Sequence, residues 1–533
     1  MLSPLSPEGG AAATGGRSPA ARSSSATAAA GRPARQPATK RAGRLVLAAL
    51  SLVLIAISMA LIGAVALLGP SAAVPNLPSG FPWPLFYLHS GPGSGLVTWC
   101  LWLAVAAAAG GLTAGLLAVR RGWQPRPQLL IAGSLIAVLG LMLLPPIGSK
   151  DLMDDAVYGR IAARGYSPYK VTPKDFAATG DPIANLRTRH WQNDPSPYGP
   201  LMTVTQEAAS GLAGDSGAKT MFWLKVWNAL AFLAVALALD RMLRSDPARR
   251  TRAHLLWTAN PLMLLAVMAG GHNDVLGVIF GVLALAAFRR ADFMNGLLAG
   301  VLAGTAIVLK APLGLVGAGL AIAAIRSPRA LAGLALGGCA VVLPTYALAG
   351  KLAITAVTSE TGRAFSTYQP WQLLARLAPS LGTLTRADQV ALAASIVLAG
   401  LLLWRMPAGP AEFPAVRPAL ALVLAWLIFS PQQRTWYDVM IFPLLALMPA
   451  TRLDWITIVR AAAAAIAQLP GNITPANDLP WLQRDFNALN TVAVPAVLAV
   501  LAIVLVGLCL TGRTAAGLAH RKIRGAPKHA VPG

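Results

Sequence analysis

Charged side chains are scarce in this sequence, and acidic ones are scarcer than basic ones. Of 533 residues only 12% are charged, with 20 Asp and Glu against 44 Lys and Arg. A soluble domain carries about twice that charged fraction, so the composition argues against an ordinary soluble protein. Hydrophobic residues instead make up 56% of the chain, and the mean hydropathy is +0.59. The sequence therefore predicts a protein whose solvent is largely lipid.

Cysteine is also rare, since Cys100, Cys339 and Cys509 are the only three and each lies inside an apolar run. We interpret them as small buried hydrophobic side chains and expect neither a disulfide framework nor a metal site. A net charge of +24 suggests nucleic acid only where basic residues cluster on a soluble domain. Here they occupy polar tails and the gaps between apolar runs, so no nucleic-acid partner is expected.

Long apolar runs, in contrast, are abundant. A helix needs about 20 apolar residues to cross a bilayer, and on that criterion we predict about fourteen transmembrane helices. The predicted spans are residues 45–68, 95–119, 129–147, 219–240, 254–269, 275–288, 296–311, 313–325, 330–349, 387–404, 416–430, 438–450, 455–469 and 490–511. The predicted fold class is an all-α, polytopic membrane protein with the lipid bilayer as its partner.

The polar ends of the chain are assigned by composition. Residues 1–43, rich in Ala, Gly, Ser, Pro and Arg, cannot bury enough apolar surface to fold and are predicted to be a disordered basic tail. Residues 44–512 form the predicted membrane domain, and residues 513–533 form a second basic tail.

Basic residues predict the orientation of the spans. Counted from a cytoplasmic N-terminus, they fall into every other gap: Arg120, Arg121 and Arg126; Arg241 to Arg252; Arg289 and Arg290; Arg326 and Arg329; Arg405 and Arg417; Arg452; and the C-terminal tail. Cytoplasmic loops collect Lys and Arg. We therefore expect a multi-pass plasma-membrane protein with both termini cytoplasmic and with residues 148–218, 350–386 and 470–489 outside.

The segment 148–218 is the longest polar insertion between predicted spans. We predict a short helix at residues 154–163, followed by an extended, proline-punctuated stretch. Asp151, Asp154 and Asp155 are spaced i, i+3 and i+4, so a helix puts them on one face. A partly shielded carboxylate with a raised pKa can act as a base for a hydroxyl. Acidic residues at a helix start can equally well complement the helix dipole, and spacing alone leaves both interpretations open.

Further polar residues interrupt apolar runs on the same predicted side. The Gly-Gly-His-Asn-Asp segment at 270–274 is costly at membrane depth unless it faces a cavity, although a tight turn also uses Gly and Asn. Lys310 either snorkels to the interface or offers a cation to a phosphate. Arg363 and Arg434 lie among aromatic residues. Carboxylates, cations and aromatic rings on one side suit an anionic, lipid-linked sugar substrate.

Several motifs in the same regions carry a family resemblance. They are Ser149-Lys150-Asp151, Gly159-Arg160, Gly165 with Pro168-Tyr169, Trp191, Pro197-Tyr198-Gly199-Pro200, Asn260-Pro261-Leu262 and Gly271-His272-Asn273-Asp274, with weaker matches at Lys310-Ala311-Pro312, Pro370-Trp371 and Trp436-Tyr437. On these residues the chain resembles the GT-C glycosyltransferases that use polyprenyl-phosphate sugars. Within that superfamily it is most similar to the actinobacterial polyprenol-phosphomannose-dependent α-1,6-mannosyltransferases of lipomannan assembly. The resemblance covers residues 130–450.

The resemblance implies a GT-C-type helical bundle whose long first extracytoplasmic loop is catalytic. It implies inverting transfer of mannose from a polyprenyl-phosphate donor to a mannan or glycolipid acceptor outside the membrane, with no cofactor and no metal. Asp151 matches the catalytic acidic position and becomes the expected general base. Lys310, Arg434 and Arg363, in that order, become the cations that stabilise the leaving phosphate.

The same resemblance assigns substrate binding to a further group of residues. They are Arg160, Tyr169, Tyr198, His272, Asn273 and Asp274. The chain departs from the family pattern just after Asp151, where relatives often carry aromatic residues, so Asp154 or Asp155 can share or replace its role. The alternatives are a GT-C enzyme for another polyprenyl-phosphate sugar and a non-enzymatic lipid or solute transporter. Transporters often show internal repeats, and none is visible here.

Overall fold

The computed structural model describes residues 38–77, 84–359, 366, 368–377, 384–471, 484 and 487–514. Within these residues the structure is helical and contains no β-strand, which confirms the predicted all-α class. The α-helices, in chain order, are α1 (Ala38–Leu68), α2 (Ser94–Arg120), α3 (Pro127–Met142), α4 (Asp151–Ala163), α5 (Pro173–Ala177), α6 (Pro200–Ala213), α7 (Gly217–Met242), α8 (Pro247–Ala253), α9 (Pro261–Leu264), α10 (Val275–Ala287), α11 (Phe293–Leu309), α12 (Gly314–Ala324), α13 (Pro328–Ala349), α14 (Lys351–Ser359), α15 (Pro370–Leu377), α16 (Leu384–Arg405), α17 (Val416–Phe429), α18 (Ile441–Leu447), α19 (Leu453–Gln468) and α20 (Val494–Leu510).

Six described helices are long and apolar enough to cross a membrane by length and composition. They cover Arg41–Leu68, Ser94–Arg120, Gly217–Met242, Pro328–Ala349, Ala387–Arg405 and Leu489–Leu510. Shorter apolar helices of 10–17 residues, among them α3, α10, α11 and α17, occupy further predicted spans. The chain is thus a helical membrane protein, and the number of about fourteen crossings stays a prediction.

The predicted span at residues 254–269 is wrong as a continuous helix. It consists of a π-helical turn (His254–Thr258), the short α9, and a second π-helical turn (Leu265–Ala269). The break occurs because Pro261 has no N–H to continue the helical ladder. The Asn260 side chain instead accepts a hydrogen bond from the N–H of Leu262 at 3.0 Å. This broken element leads directly into the 270–274 turn.

The segment 148–218 is more ordered than the sequence suggested. Helix α4 begins at Asp151, three residues before the predicted start at residue 154. The expected extended stretch is wrong for residues 200–213, which form α6, with Pro200 at the first helical position where proline is tolerated. Leu152 and Val157 of α4 are fully buried in a hydrophobic cluster with residues of α6 and α7.

Four chain segments converge where the polar residues lie. They are the first turns of α4, the 270–274 turn before α10, the end of α11, and a 3₁₀ segment (Thr435–Met440) between α17 and α18. The 3₁₀ segment packs against α10, α17, α19 and the Leu265–Ala269 turn. Helix α10 in turn packs on α7 and α11. Packing of apolar helices therefore fixes the relative positions of residues far apart in sequence.

Candidate active site

A cavity of about 900 Å³ opens beside the first turn of α4. Carboxylates, cations and aromatic rings line it, among them Asp151, Asp154, Tyr158, Trp191, Tyr198, Lys310, Trp426, Arg434, Trp436 and Tyr437. Leu315 and Val357 add apolar surface. A pocket of this size, apolar in part and with a few converging polar groups, is typical of a small-molecule site.

A second cavity, of about 1260 Å³, adjoins the first. Both are lined by Asp151, Asp154, His190, Trp191, Arg434, Trp436 and Gln468. The second cavity also has Asn76, Lys150 and Arg187 on its wall. Asp151 therefore lies at the junction of the two cavities.

The three clustered aspartates of α4 have different surroundings. The Asp151 side chain is 21% exposed, and its backbone N–H donates to the Ser149 hydroxyl. Both carboxylate oxygens of Asp154 accept from Thr188, from its N–H at 2.9 Å and its hydroxyl at 2.7 Å. Asp154 and Asp155 are buried. Among the three, only Asp151 presents a carboxylate to the cavities without such hydrogen bonds.

Asp155 lies at the centre of a buried hydrogen-bonding group. Its two oxygens accept from the Gln206 amide and the Asn273 amide, each at 3.0 Å. The Tyr198 hydroxyl also donates to it. Burial, and then the nearby Asp151 carboxylate, raise the pKa of Asp155 well above its usual range. This carboxyl group ties α4, α6 and the 270–274 turn together.

Burial also shifts the pKa of Asp154. It raises the pKa of Asp154 to about 7, while the two hydrogen bonds from Thr188 act in the opposite direction. A carboxyl group in an apolar environment resists ionisation because the charge loses its hydration. Asp154 is therefore partly protonated at neutral pH.

The 270–274 turn lies behind the cavity wall and contacts three residues of it, Asp151, Lys310 and Trp436. Gly271 has a φ of +78°, which only glycine adopts without strain. His272 stacks on Trp436, with ring centroids 3.6 Å apart, and its Nδ1 is 3.7 Å from the Asp151 carboxylate. Burial lowers the pKa of His272 to about 4 although Asp151 opposes the shift, so the imidazole is neutral at pH 7.

The last residue of the turn holds the principal cation. Asp274 forms an ion pair with Lys310, with Oδ1 and Nζ 3.3 Å apart. The ammonium also lies over the rings of Tyr198 and Tyr437, 4.7 and 5.7 Å from their centroids. Lys310 thus faces the cavity rather than extending away from it, and aromatic faces favour a cation there.

Two of the predicted substrate-binding residues lie away from both cavity walls. Arg160 is buried and donates to Asp181 at 2.8 Å, to the Gly214 carbonyl at 3.1 Å, and to Asp215. The Tyr169 hydroxyl bonds to Thr203 at 2.9 Å. In this structure, both residues hold the 148–218 segment together.

The other predicted residues either line the first cavity or lie behind the residues that line it. Tyr198, Lys310 and Arg434 line the cavity, and the Arg434 guanidinium lies 5.6 Å from the Trp191 ring centroid. His272 and Asp274 line neither cavity but contact the wall residues Asp151 and Lys310. Asn273 lies behind them and donates to the buried Asp155. Arg363 lies outside the described residues.

Sequence reasoning missed two residues that hold the aspartates, Thr188 and Gln206. Gln206 is fully buried on α6, a helix that the sequence analysis did not predict. A Gln on the apolar face of an amphipathic helix was the available signal, because a buried amide needs a partner. Thr188 lies in an irregular stretch and gave no such signal. Among the described residues, no group of three His, Cys, Asp or Glu side chains has the arrangement of a metal site.

Comparison with known proteins adds an independent observation. The sequence model of the family described as Alpha-(1->6)-mannopyranosyltransferase, N-terminal domain, matches residues 56–326, just over half of the chain. This range contains α4, the 270–274 turn and Lys310.

Curated relatives carry the same description. An alpha-(1->6)-mannopyranosyltransferase of Mycobacterium tuberculosis is 27% identical over 139 residues, 26% of this chain and 24% of that protein. Alpha-(1->6)-mannopyranosyltransferase A of Corynebacterium glutamicum is 25% identical over 174 residues, 33% of this chain and 34% of that protein. The chain therefore spans only about a quarter to a third of the length of the curated relatives it matches. On the match over more than half its length, the chain belongs to the alpha-(1->6)-mannopyranosyltransferase family.

Proposed function

We propose that this protein transfers mannose, with inversion, from a polyprenyl-phosphate donor to a hydroxyl of a mannan or glycolipid acceptor. The observation that supports this proposal best is the first cavity, where the Asp151 carboxylate and the Lys310 and Arg434 cations share one wall. The acceptor hydroxyl has to lose a proton, and the leaving lipid phosphate gains charge. A base and two cations in one enclosure meet both requirements.

Asp151 is the residue best suited to be the general base. A base must reach the hydroxyl that it deprotonates, and Asp151 is partly exposed at the junction of the two cavities. The Asp154 oxygens are held by Thr188, and Asp155 is buried among three hydrogen-bond donors. In the proposed step the acceptor oxygen attacks the anomeric carbon, its proton passes to Asp151, and the phosphate leaves from the opposite face.

Lys310 and Arg434 are assigned to the leaving phosphate. Lys310 is fixed by Asp274 and by two tyrosine rings, so it needs little reorganisation as charge develops. Preorganised cations in a shielded site stabilise such charge more than mobile ones in water. The aspartate partner leaves part of the ammonium's donor capacity available, because a lysine carries three N–H groups.

The two cavities divide the substrates in this proposal. The first holds the donor, because it contains both cations and the apolar surface that a polyprenyl chain needs. The second cavity, with Asn76 and Arg187 on its wall, holds the acceptor glycan, whose hydroxyl meets the donor at Asp151. The basic residues in alternate gaps support a site on the outer face of the plasma membrane.

The test is a transfer assay with purified protein in membranes, polyprenyl-phosphate-mannose and an oligomannoside acceptor. We expect wild-type turnover and a loss of at least about a hundredfold in Asp151→Asn, because the amide cannot accept the proton. Asp175→Asn is the matched control, since Asp175 is an exposed carboxylate of the same segment that caps α5 away from the cavities.

Other donors separate the competing functions. Polyprenyl-phosphate-glucose offered in the same assay tests the alternative sugar, and we expect the mannose donor to be used preferentially. Wild-type activity in Asp151→Asn would remove this residue from the mechanism. Failure to transfer sugar from every polyprenyl-phosphate donor, with movement of the intact lipid across the bilayer, would favour the transporter.

A further inference from the structure

Arg460 is a buried cation in the middle of α19 that the proposed reaction does not use. It is 1% exposed. Its Nε and Nη2 donate to the Leu427 carbonyl at 3.2 and 3.0 Å, and Nη2 also donates to the Gln433 side-chain oxygen at 3.1 Å. Its Nη1 pairs with Asp438, which is equally buried. One guanidinium therefore binds acceptors of three residues, in α17, in the loop after α17 and in the 3₁₀ segment.

These acceptors lie before and after the short segment that forms part of the cavity wall. Leu427 is near the end of α17, Gln433 directly precedes Arg434, and Asp438 directly follows Tyr437. Gln433 is itself bound at its other end, because its amide donates to the Trp426 carbonyl at 3.1 Å. Only four residues separate Gln433 from Asp438, whose side chains both bind Arg460. Three of these four residues line the first cavity.

Stability of the fold alone does not require a buried ion pair between Arg460 and Asp438. A buried ion pair adds little stability compared with apolar side chains of similar volume, because both charges lose their hydration. The planar fork of Arg, however, fixes several acceptors at once in defined directions. Such geometry is useful where a short irregular segment has to present side chains at fixed positions.

We propose that Arg460, together with Asp438, is a positioning residue that holds Arg434 and Trp436 in place on the cavity wall. Through Arg434 it supports binding of the donor phosphate, and in this respect the inference rests on the proposed function. Arg460 itself lines neither cavity. It lies beyond residue 326, outside the part of the chain that the family model matches.

The same helix supplies a matched control. Arg252 of α8 pairs with Asp454 in the first turn of α19, and both are buried. Arg252 also donates to the Leu445 and Met448 carbonyls, each at 2.8 Å, so its chemistry is close to that of Arg460. Neither Arg252 nor Asp454 lines either of the two cavities described above. Gln468, at the other end of α19, lines both cavities, about 21 Å along the helix from Asp454.

The experiment replaces each pair by apolar residues. Arg460→Met with Asp438→Leu is compared with Arg252→Met with Asp454→Leu, because removing both charges avoids the unpaired buried charge that a single change would leave. Thermal unfolding in detergent is measured first, and we expect similar midpoints for the two double variants. Binding of farnesyl phosphate is then followed by tryptophan fluorescence, and mannose transfer is measured as kcat/KM.

We expect the Arg460 double variant to bind farnesyl phosphate about tenfold more weakly than wild type and to lose about tenfold in kcat/KM, a change within the range of coupled neighbours. The Arg252 double variant should stay near wild type in both. Arg460→Lys should recover part of the loss, since it keeps the charge but not the fork. Equal losses in the two double variants would overturn the inference.

A combination with Arg434→Gln tests whether Arg460 acts through Arg434. If it does, adding Arg434→Gln to the Arg460 double variant produces little loss beyond that of Arg434→Gln alone, because effects on one interaction do not add. Multiplied losses would overturn the inference. Wild-type binding of farnesyl phosphate without mannose transfer would reject the proposed reaction instead, and the binding comparison would still decide the role of Arg460.

Discussion

Ionising the Asp154 carboxyl group costs more free energy than ionising a surface aspartate, because burial removes the hydration of the charge. Asp154 is 3% exposed, and burial raises its pKa to about 7 against the effect of two hydrogen bonds from Thr188. In the unfolded chain the same group titrates near its ordinary value of 3.8. The folded protein therefore binds a proton here in a pH range where the unfolded chain does not.

This difference predicts how the stability contribution of Asp154 depends on pH. Between about pH 4 and pH 7 the Asp154 carboxyl group is protonated in the folded state and ionised in the unfolded chain. Its contribution to the free energy of unfolding is therefore largest at low pH and is lost as the pH rises to the folded pKa. Asp154→Asn removes this dependence while its amide oxygen can still accept from the Thr188 N–H. We expect the thermal midpoint of Asp154→Asn to rise relative to wild type between pH 5 and pH 8 in detergent. A constant difference over that range would contradict the pKa shift of Asp154.

The three aspartates also show what residue spacing cannot predict. Their i, i+3, i+4 pattern puts them on one face of a helix, yet the predicted helix began only at residue 154 whereas α4 begins at Asp151. The pattern also left the general-base and helix-dipole interpretations open. The difference between them arises from partners in other segments, Thr188 for Asp154 and Gln206 with Asn273 for Asp155. Those partners are 34, 51 and 118 residues away in sequence. No local pattern contains that information.

At the scale of elements, the backbones of α11 and α13 pack so closely that a side chain at their glycine contact positions would clash with the other helix. A Cβ on Gly300 would lie 2.3 Å from the Leu334 carbonyl oxygen, and one on Gly337 would lie 2.2 Å from that of Leu297. Small residues four apart allow helix backbones to approach in a membrane. Because α11 ends immediately before Lys310, this contact also determines where the cation lies.

Gly300→Ala is therefore expected to destabilise the protein by about 1–3 kcal/mol, because the added methyl group must displace backbone rather than a flexible side chain. Gly133→Ala in α3 is the matched control, since a Cβ there meets nothing within 4 Å and alanine favours the helix. Thermal unfolding in detergent measures both. We expect mannose transfer to fall in Gly300→Ala and to stay near wild type in Gly133→Ala. An unchanged midpoint for Gly300→Ala would show that the two helices can separate without cost.

The broken element at residues 254–269 shows where hydrophobicity alone is insufficient. Its apolar composition predicted one span, whereas Pro261 and the Asn260 cap divide it. The proline was visible in the sequence, and its missing N–H gave the correct physical signal. Similarly, α6 was missed because many prolines precede it, although Pro200 is compatible with a first helical turn.

At the scale of the whole molecule, the orientation of the bundle determines whether the site can meet a lipid-linked sugar outside the cell. The distribution of Arg predicts that the 148–218 segment is extracytoplasmic. Ala178 in that segment and Ser245 between α7 and α8 are both exposed. A cysteine at either position can therefore report the side of the membrane on which it lies.

Single-cysteine variants in a background without Cys100, Cys339 and Cys509 provide the measurement. A membrane-impermeant maleimide applied to intact cells should label Ala178→Cys and should label Ser245→Cys only after lysis. The reverse pattern would place the cavities on the cytoplasmic side and remove the basis for the proposed donor.

The family match and the structure cover different parts of the site. The matched range 56–326 contains Asp151, the 270–274 turn and Lys310. The rest of the cavity lining, with Trp426, Arg434 and Trp436, comes from residues beyond that range. The weaker sequence matches at Lys310 and Trp436 now lie on the wall of one cavity, so both halves of the chain build the same site.

The sequence by itself determined the helical membrane class, the family and the polar segments from which the site is built. These properties follow from composition and from motifs within short stretches, because burial in lipid requires apolar runs and leaves polar residues in the gaps. Only the tertiary structure decided which residues face the cavities. Arg160 and Tyr169 belong to motifs of the same segment as those of Asp151 and Tyr198, yet their side chains hydrogen-bond to other parts of that segment. Whether a side chain faces a cavity depends on contacts between distant segments, and those exist only once the helices have packed.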